Sequence, residues 1–387
     1  MKVDVAARIS DIEAAEWNRL AGHDFPFLRH EFLRAAERTG CVSKTTGWSP
    51  RHITIRDRGG NLRGAMPLYE KTHSWGEFVF DWSWAQAYHR AGVPYYPKLV
   101  SAVPFTPAPS PRLLLGDENG GENAELLVDA ALEIAKASSC SSLHVLFPME
   151  EELQVLRKAG LELRKDCQFH WHNRNYRSFE DFLATFSSAK RKKARRDRRR
   201  VHEQEITFRW LKGNDMDAAI WQDVYEMIST TFLRRGSMPY YDYAFFTSIS
   251  RALPDNVLVV LAERRRMPVA AAIFYEGADT LYGRYWGSDG HYDALHFETC
   301  YYQGIDYCIA NGLARFEPGT QGEHKISRGF VPVSTWSAHW LARPEFFTAV
   351  GQYLKEERRH VDRYMDAVAA HSPYRDDFGS KEQDEQE

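Results

Sequence analysis

Between Glu317 and Arg328 the chain gathers Glu317, Gln321, Glu323, His324, Lys325 and Arg328 into one glycine-punctuated stretch. It follows Ala314–Glu317, which reads as a strand, and loops past strand ends are where α/β sheets hold ligands. A lysine beside an arginine can neutralise a phosphate or a carboxylate. Lys325 is therefore a candidate catalytic group, and Glu317, Gln321, His324 and Arg328 are candidate substrate contacts. The competing reading is a salt-bridged surface loop. Nearby, His296 and Glu298 open an amphipathic helix, Phe297–Ala310, with Phe297, Tyr301, Ile305, Cys308 and Ile309 on one face. His296 is a candidate general base because imidazole titrates near neutrality. Glu298, also a catalytic candidate, has an ordinary structural reason to be there, since a helix N-terminus favours an anion. On the strand Leu281–Trp286, Arg284 and Trp286 share a face with Tyr282, and Tyr285 points the other way. One face packs in a core and the other lines a cleft, so Arg284, Tyr285 and Trp286 are further substrate-binding candidates.

A second feature is electrostatic. Nine of the twelve residues Ala189–Arg200 are Lys or Arg. On one helix such charges repel unless an anion lies beside them. Lys190, Arg191, Lys192, Lys193, Arg195 and Arg196 are candidate contacts for a phosphate-rich partner such as tRNA. The alternative is a solvated basic face, and a net charge of −3 argues against a general polycation.

Other chemistries lack support. No GxSxG, HExxH or GxxxxGK[ST] pattern occurs, so nucleophilic hydrolysis, zinc proteolysis and ATP hydrolysis are not indicated. Cys167, His170 and His172 have no evident further ligand, and no metal is expected. Acetyl-CoA would need a glycine-rich pyrophosphate loop at a helix start. The stretch Gly287–Leu295 offers one internal glycine, Gly290, and Gly116–Asn123 has three glycines but no basic residue. CoA is disfavoured but remains an alternative.

The elements that must position these residues fall into two similar halves. The chain has 387 residues and 43% apolar content, enough for two cored domains. Hairpin signals occur at Ile53–Tyr69 and Val257–Tyr275. Helix–loop–strand units end at Pro148 and Pro318, and a Gly followed by His-Trp recurs at Gly160…His170-Trp171 and Gly329…His339-Trp340. This order implies a duplicated α/β (α+β) unit, each half a mixed, mostly antiparallel sheet flanked by helices. The expected boundaries are 1–172, 173–372 with a basic helix over 187–203, and a disordered acidic tail over 373–387. Trp75–Pro111 is too apolar for a linker and reads as an ordered excursion. Five cysteines without a CxxC, no apolar N-terminal segment and no long apolar window predict a cytoplasmic chain without membrane insertion.

The stretches SSAKRKKARRDRRR, VYEMISTTFLRRG and NVLVVLAERRRMPVAAAIFYEGADTLYGRYWGS make the second half similar to a Fem-type transferase domain, a tandem GNAT fold. Over roughly Asp24–Glu356, the motifs GEFVFDWSWA, YYPKL, PFTP, QFHWHN, LYGRYWG, LHFE and EPGTQGEHKISRGF resemble a bacterial Fem-like family labelled peptidoglycan biosynthesis/recognition. The resemblance implies transfer of an acyl group, in Fem enzymes an amino acid from aminoacyl-tRNA, to an amine of a cell-wall precursor, with no resident cofactor. Lys325 stands where Fem-like domains carry a Lys shortly before a Gly or Phe. Such a transfer needs oriented reactants and main-chain N–H groups facing the oxyanion, and no covalent nucleophile. Two alternatives stay open: an acyl-CoA-dependent N-acyltransferase, and a non-catalytic protein that recognises a cell-wall precursor or nucleic acid.

Overall fold

The computed structural model describes residues 1–116, 120–320 and 322–375. They form two compact units, neither contiguous in sequence. Unit 1 takes Met1–Asp166, Tyr240–Phe245 and Ser334–Arg363; unit 2 takes Cys167–Pro239, Phe246–Val333 and the chain from Tyr364. This differs from the expected cut at 172/173, because two long strands serve both units. Strand Glu162–His172 puts Leu163 in the core of unit 1 and Phe169 and Trp171 in that of unit 2. Strand Val331–Leu341 starts in unit 2 and delivers Ala338 to the core of unit 1. The expected disorder of 373–375 is also replaced by contact. Ser187 N donates to Pro373 O, Arg375 N donates to Thr185 O, and Tyr374 OH donates to Gly329 O at 2.7 Å. The remainder of the expected tail, 376–387, lies outside the described residues.

In unit 1 the hairpin His52–Arg56/Leu62–Met66 sits between Lys2–Ala6 and Leu114–Leu115 in one sheet. Pro67-Leu68 interrupts the second strand, which resumes as Tyr69–Lys71 in another sheet. There Lys98–Ser101 pairs antiparallel with Tyr69–Lys71 and parallel with Ser142–Leu146. Helix Gly120–Ala137 covers this region with Leu127, Val128, Ala131 and Ala135. The aromatic excursion is ordered and contains the helix Trp82–Arg90.

In unit 2, Ile206–Lys212, Val257–Arg264, Met267–Glu276 and Thr280–Ser288 run antiparallel in that order. Arg315–Glu317 then pairs parallel with Thr280–Ser288 and antiparallel with the end of Glu162–His172. The two central strands are buried almost throughout, which is why they read as continuous apolar runs rather than alternating ones. Their turn is two residues, Arg265-Arg266, both with positive φ as tight hairpins require.

Helix Ala218–Arg234 lies so close to this sheet that a Cβ on Gly287 would sit 2.2 Å from the carbonyl carbon of Met227. Backbone cannot yield as a flexible side chain can. Gly287→Ala should therefore lower unfolding free energy by about 1–3 kcal/mol, the usual cost of overpacking. Denaturant unfolding checks this, and an unchanged midpoint would contradict the close approach.

Candidate functional site

Parallel pairing between Thr280–Ser288 and Arg315–Glu317 stops at Tyr282 opposite Glu317. Just beyond it the strand is bulged: Phe274 faces Gly283 and Ile273 faces Tyr285, so Arg284 is the extra residue. A bulge re-aims a side chain and leaves its residue outside the ladder. Arg284 is thereby turned onto the end of the neighbouring strand. Its Nη2 donates to Glu317 Oε1 at 2.8 Å and its Nη1 to the Gly283 carbonyl at 2.9 Å. The two paired side chains are only 5% and 3% exposed.

Lys325 enters the same buried region from the short 3-10 helix Glu323–Arg328. Two glycines with positive φ, Gly322 and Gly329, bracket that helix, and a Cβ on Gly329 would meet Phe182 at 2.6 Å. Lys325 Nζ donates to the Gly319 carbonyl. Burial pushes its pKa down to about 7; Glu317 opposes that and Arg284 adds to it. A lysine so poised holds a substantial share of neutral amine at physiological pH, and it can accept a proton.

A cavity of about 440 Å³ lies further along the strand, lined among others by Trp286, His296, Tyr292, Asp293, Arg234 and Arg235. Trp286 and His296 meet at 5.3 Å between ring centroids, and His296 is 6.3 Å from His324. Tyr301 OH bonds His324 Nε2 at 2.8 Å. Burial first, then the nearby His324 and Arg235, press the His296 pKa down to about 4. The imidazole is neutral at pH 7 and a weaker base than a free histidine.

The expected helix Phe297–Ala310 is broken into Leu295–Phe297, a π-helical turn Glu298–Tyr302, and Gln303–Asn311. The wider turn directs Glu298 inward, where Arg198 Nη2 lies 3.0 Å away and Gln303 Nε2 donates to it at 2.8 Å. Glu298 is thus a clamp for the basic helix, and burial raises its pKa. Arg328 is also committed. It lies 3.4 Å over the Phe297 ring, donates to the His324 carbonyl at 2.6 Å and approaches Asp197 at 3.5 Å. Tyr285 faces the other side of the sheet, against Phe246 and Phe232, so the cleft face is that of Arg284 and Trp286. Gln321 lies outside the described residues.

The basic run forms the helix Ser188–Glu203. Its cations divide in two. Arg195 pairs with Glu180, Arg198 with Glu298 and Asp306, Arg199 with Glu203, and Arg200 with Asp293 at the cavity. Lys190, Arg191, Lys192, Lys193 and Arg196 make no ion pair among the described residues, and Lys192, Lys193 and Arg196 are exposed. Sequence reasoning missed Asp197, although it is the one acid in the run; it is buried and anchors both Tyr302 and Arg328. It also passed over Arg234 and Arg235, the consecutive cations that end helix Ala218–Arg234 at the cavity. Among the described residues, no His, Cys, Asp and Glu cluster is arranged to hold a metal.

The bulged strand, the parallel neighbour that ends beside it and the duplicated order of elements define a tandem GNAT-like α/β protein. The chain belongs to the FemAB-like family, described as peptidoglycan biosynthesis/recognition, whose model matches residues 8–376. It is similar to the crystal structure of FemX at 13% identity and a TM-score of 0.55, covering 91% of this chain and 100% of that one. It is also similar to the C-terminal domain of an Agrobacterium fabrum protein described as a lysylphosphatidylglycerol synthetase, at 9% identity and a TM-score of 0.55, covering 88% and 95%. A conserved protein of unknown function from Bacteroides thetaiotaomicron matches at 10% identity and a TM-score of 0.50, covering 87% and 99%. At such identities the likeness is one of fold. None of the curated proteins matches the chain.

The low Lys325 pKa has a thermodynamic signature. The unfolded lysine binds its proton up to about pH 10.4, whereas the folded one releases it near 7, so between those values the unfolded state carries more protons and native stability rises with pH. Lys325→Met removes this titration. The variant should exceed the wild type in melting temperature most clearly below pH 7, and the gap should shrink steadily between pH 7 and 10. A gap independent of pH would show that Lys325 keeps an ordinary pKa.

Proposed function

We propose that unit 2 catalyses amide formation between a substrate amine and an activated acyl group, with aminoacyl-tRNA as donor and an amine of a cell-wall precursor as acceptor. The observation that carries this reading is Lys325, a buried amine near neutrality beside the bulge at Arg284. The acceptor nitrogen attacks the acyl carbonyl carbon, and a C–N bond forms. The proton leaving that nitrogen passes to Lys325 Nζ. The oxyanion is stabilised by main-chain N–H groups at the bulged strand, where the ladder is interrupted. The intermediate then collapses: the bond to the donor oxygen breaks, and Lys325 returns the proton to it. Trp286 and the neutral His296 wall the cavity, and exclusion of water there favours attack by the amine over hydrolysis. Glu317 holds Arg284, so its role is positioning. The family's description supports the precursor as acceptor, and the free cations Lys190–Lys193 support a polyanionic donor.

Binding of aminoacyl-tRNA, deacylated tRNA and acetyl-CoA, compared at near-physiological salt, tests the donor. Preference for tRNA should fade steeply as salt rises. The variant K190A/R191A/K192A/K193A should remain folded and lose about three from the slope of log affinity against log salt, since each single-strand phosphate contact contributes roughly 0.7. Normal donor affinity in that variant removes the basic helix from the site. Saturable CoA binding without tRNA binding replaces the donor by an acyl thioester, and binding of neither turns the protein into a recognition module. Separately, Lys325→Ala should lower turnover by about 100-fold or more, as loss of a general base does. The wild-type rate should climb as pH rises through 7, and an unchanged rate in the variant excludes the lysine.

A further inference from the structure

Between strand Tyr69–Lys71 and helix Trp82–Arg90 of unit 1, the chain is turned inside out. Its acids face in: Glu77 and Asp81 are 3% and 2% exposed. Its large rings face out: Trp75 is 63% exposed, Phe80 62% and Trp82 41%. The inward half is a built structure. Lys98, wholly buried, donates to Ser74 Oγ and Glu77 Oε2 at 2.8 Å each, and also to Asp81. Tyr95 OH donates to Asp81 Oδ2 at 2.7 Å. Lys71, equally buried, donates to the Trp75 carbonyl at 3.2 Å and lies 3.7 Å above the Trp48 ring. A buried charge such as that of Lys98 persists only when paired and bonded in this way. The cluster fills the space beneath the loop and pins its backbone, so the rings are held outward. Trp75 and Trp82 brace each other edge to face at 5.4 Å.

We infer that this aromatic face of unit 1 docks on an anionic lipid bilayer. Tryptophan and phenylalanine are suited to the boundary between hydrocarbon and water. Charge selects the same occupant. Residues 72–97 contain two acids, Glu77 and Asp81, and both are spent inward on Lys98, so the outer side presents exposed His89 and Arg90 and no carboxylate. From the helix Pro344–Ala369, Glu345 and Glu357 reach this region: Glu345 lies 3.5 Å from Arg343, and Arg164 neutralises Glu357 with bonds of 2.8 and 2.7 Å while also donating to the Phe80 carbonyl at 2.7 Å. A glycan platform would set carboxylates beside its rings to bond sugar hydroxyls; here they are turned away. The contact is peripheral, made by side chains at the level of the lipid headgroups.

The test is sedimentation of the full chain with vesicles of phosphatidylcholine alone and of a phosphatidylcholine–phosphatidylglycerol mixture. The wild type should bind the anionic vesicles more strongly. The variant W75A/F80A/W82A should melt at the wild-type temperature and lose about tenfold in partitioning, because the removed rings are exposed and each contributes buried apolar area at the membrane. Trp75→Ala alone should give an intermediate loss. The quadruple variant of Lys190–Lys193 separates this surface from non-specific attraction to the basic helix, and it should keep aromatic-dependent binding. Equal partitioning of the triple variant and wild type overturns the inference. So does loss in the quadruple variant with retention in the triple, or a wild type that ignores both vesicles while its aromatic face binds a soluble glycan chain.

Discussion

A charge taken out of water must be met by an opposite charge, or it does not stay charged. The pair Arg284–Glu317 obeys this rule and shapes unit 2 around itself. The bulge supplies the arginine, and the strand that ends at Glu317 supplies the carboxylate. Because Arg284 already claims Glu317 Oε1, little negative charge is left for Lys325. The lysine is buried within reach of one acid that is spoken for, and its proton becomes loosely held. The low pKa of Lys325 is thus a by-product of how a structural ion pair is satisfied.

Unit 1 shows the same physics with the opposite outcome. Lys98 lies on the strand that runs parallel to Ser142–Leu146, as Thr280–Ser288 runs parallel to Arg315–Glu317 in unit 2. Burial again disfavours its charge, but Glu77 and Asp81 both bond it, and together they outweigh burial and raise its pKa. Two carboxylates make a permanent cation and a rigid support; one shared carboxylate makes a titratable amine.

Much of this was legible in the sequence, and the failures have physical causes. The hairpins, the basic helix and the strand carrying Arg284 and Trp286 follow from periodicity and turn residues, which are local signals. The structure packs Glu317, His324 and Lys325 into one region with Arg284 and His296. What each group does there was not legible, because it depends on partners distant in sequence. His296 reads as a base until Trp286, Tyr301 and His324 are seen burying it. Glu298 reads as an N-terminal anion until the π-helical turn directs it to Arg198, one hundred positions earlier. The basic run reads as uniform, yet its C-terminal half is consumed by Glu298, Asp306 and Asp293. The units themselves escaped a linear reading because the strand Glu162–His172 feeds the cores of both, and the strand Val331–Leu341 starts in one unit and ends in the other.

That interleaving has a consequence for synthesis. Unit 1 needs Ser334–Arg363 to complete it. Those residues supply Ala338 to one of its cores and Leu341, Val350 and Leu354 to another. The amino-terminal portion leaves the ribosome first but stays incomplete until residues 334–363 have emerged. Unit 2 waits in turn for Val368 and Tyr374. Neither unit can complete its cores before these later residues are made, so the nascent chain carries unfinished apolar surface through much of translation.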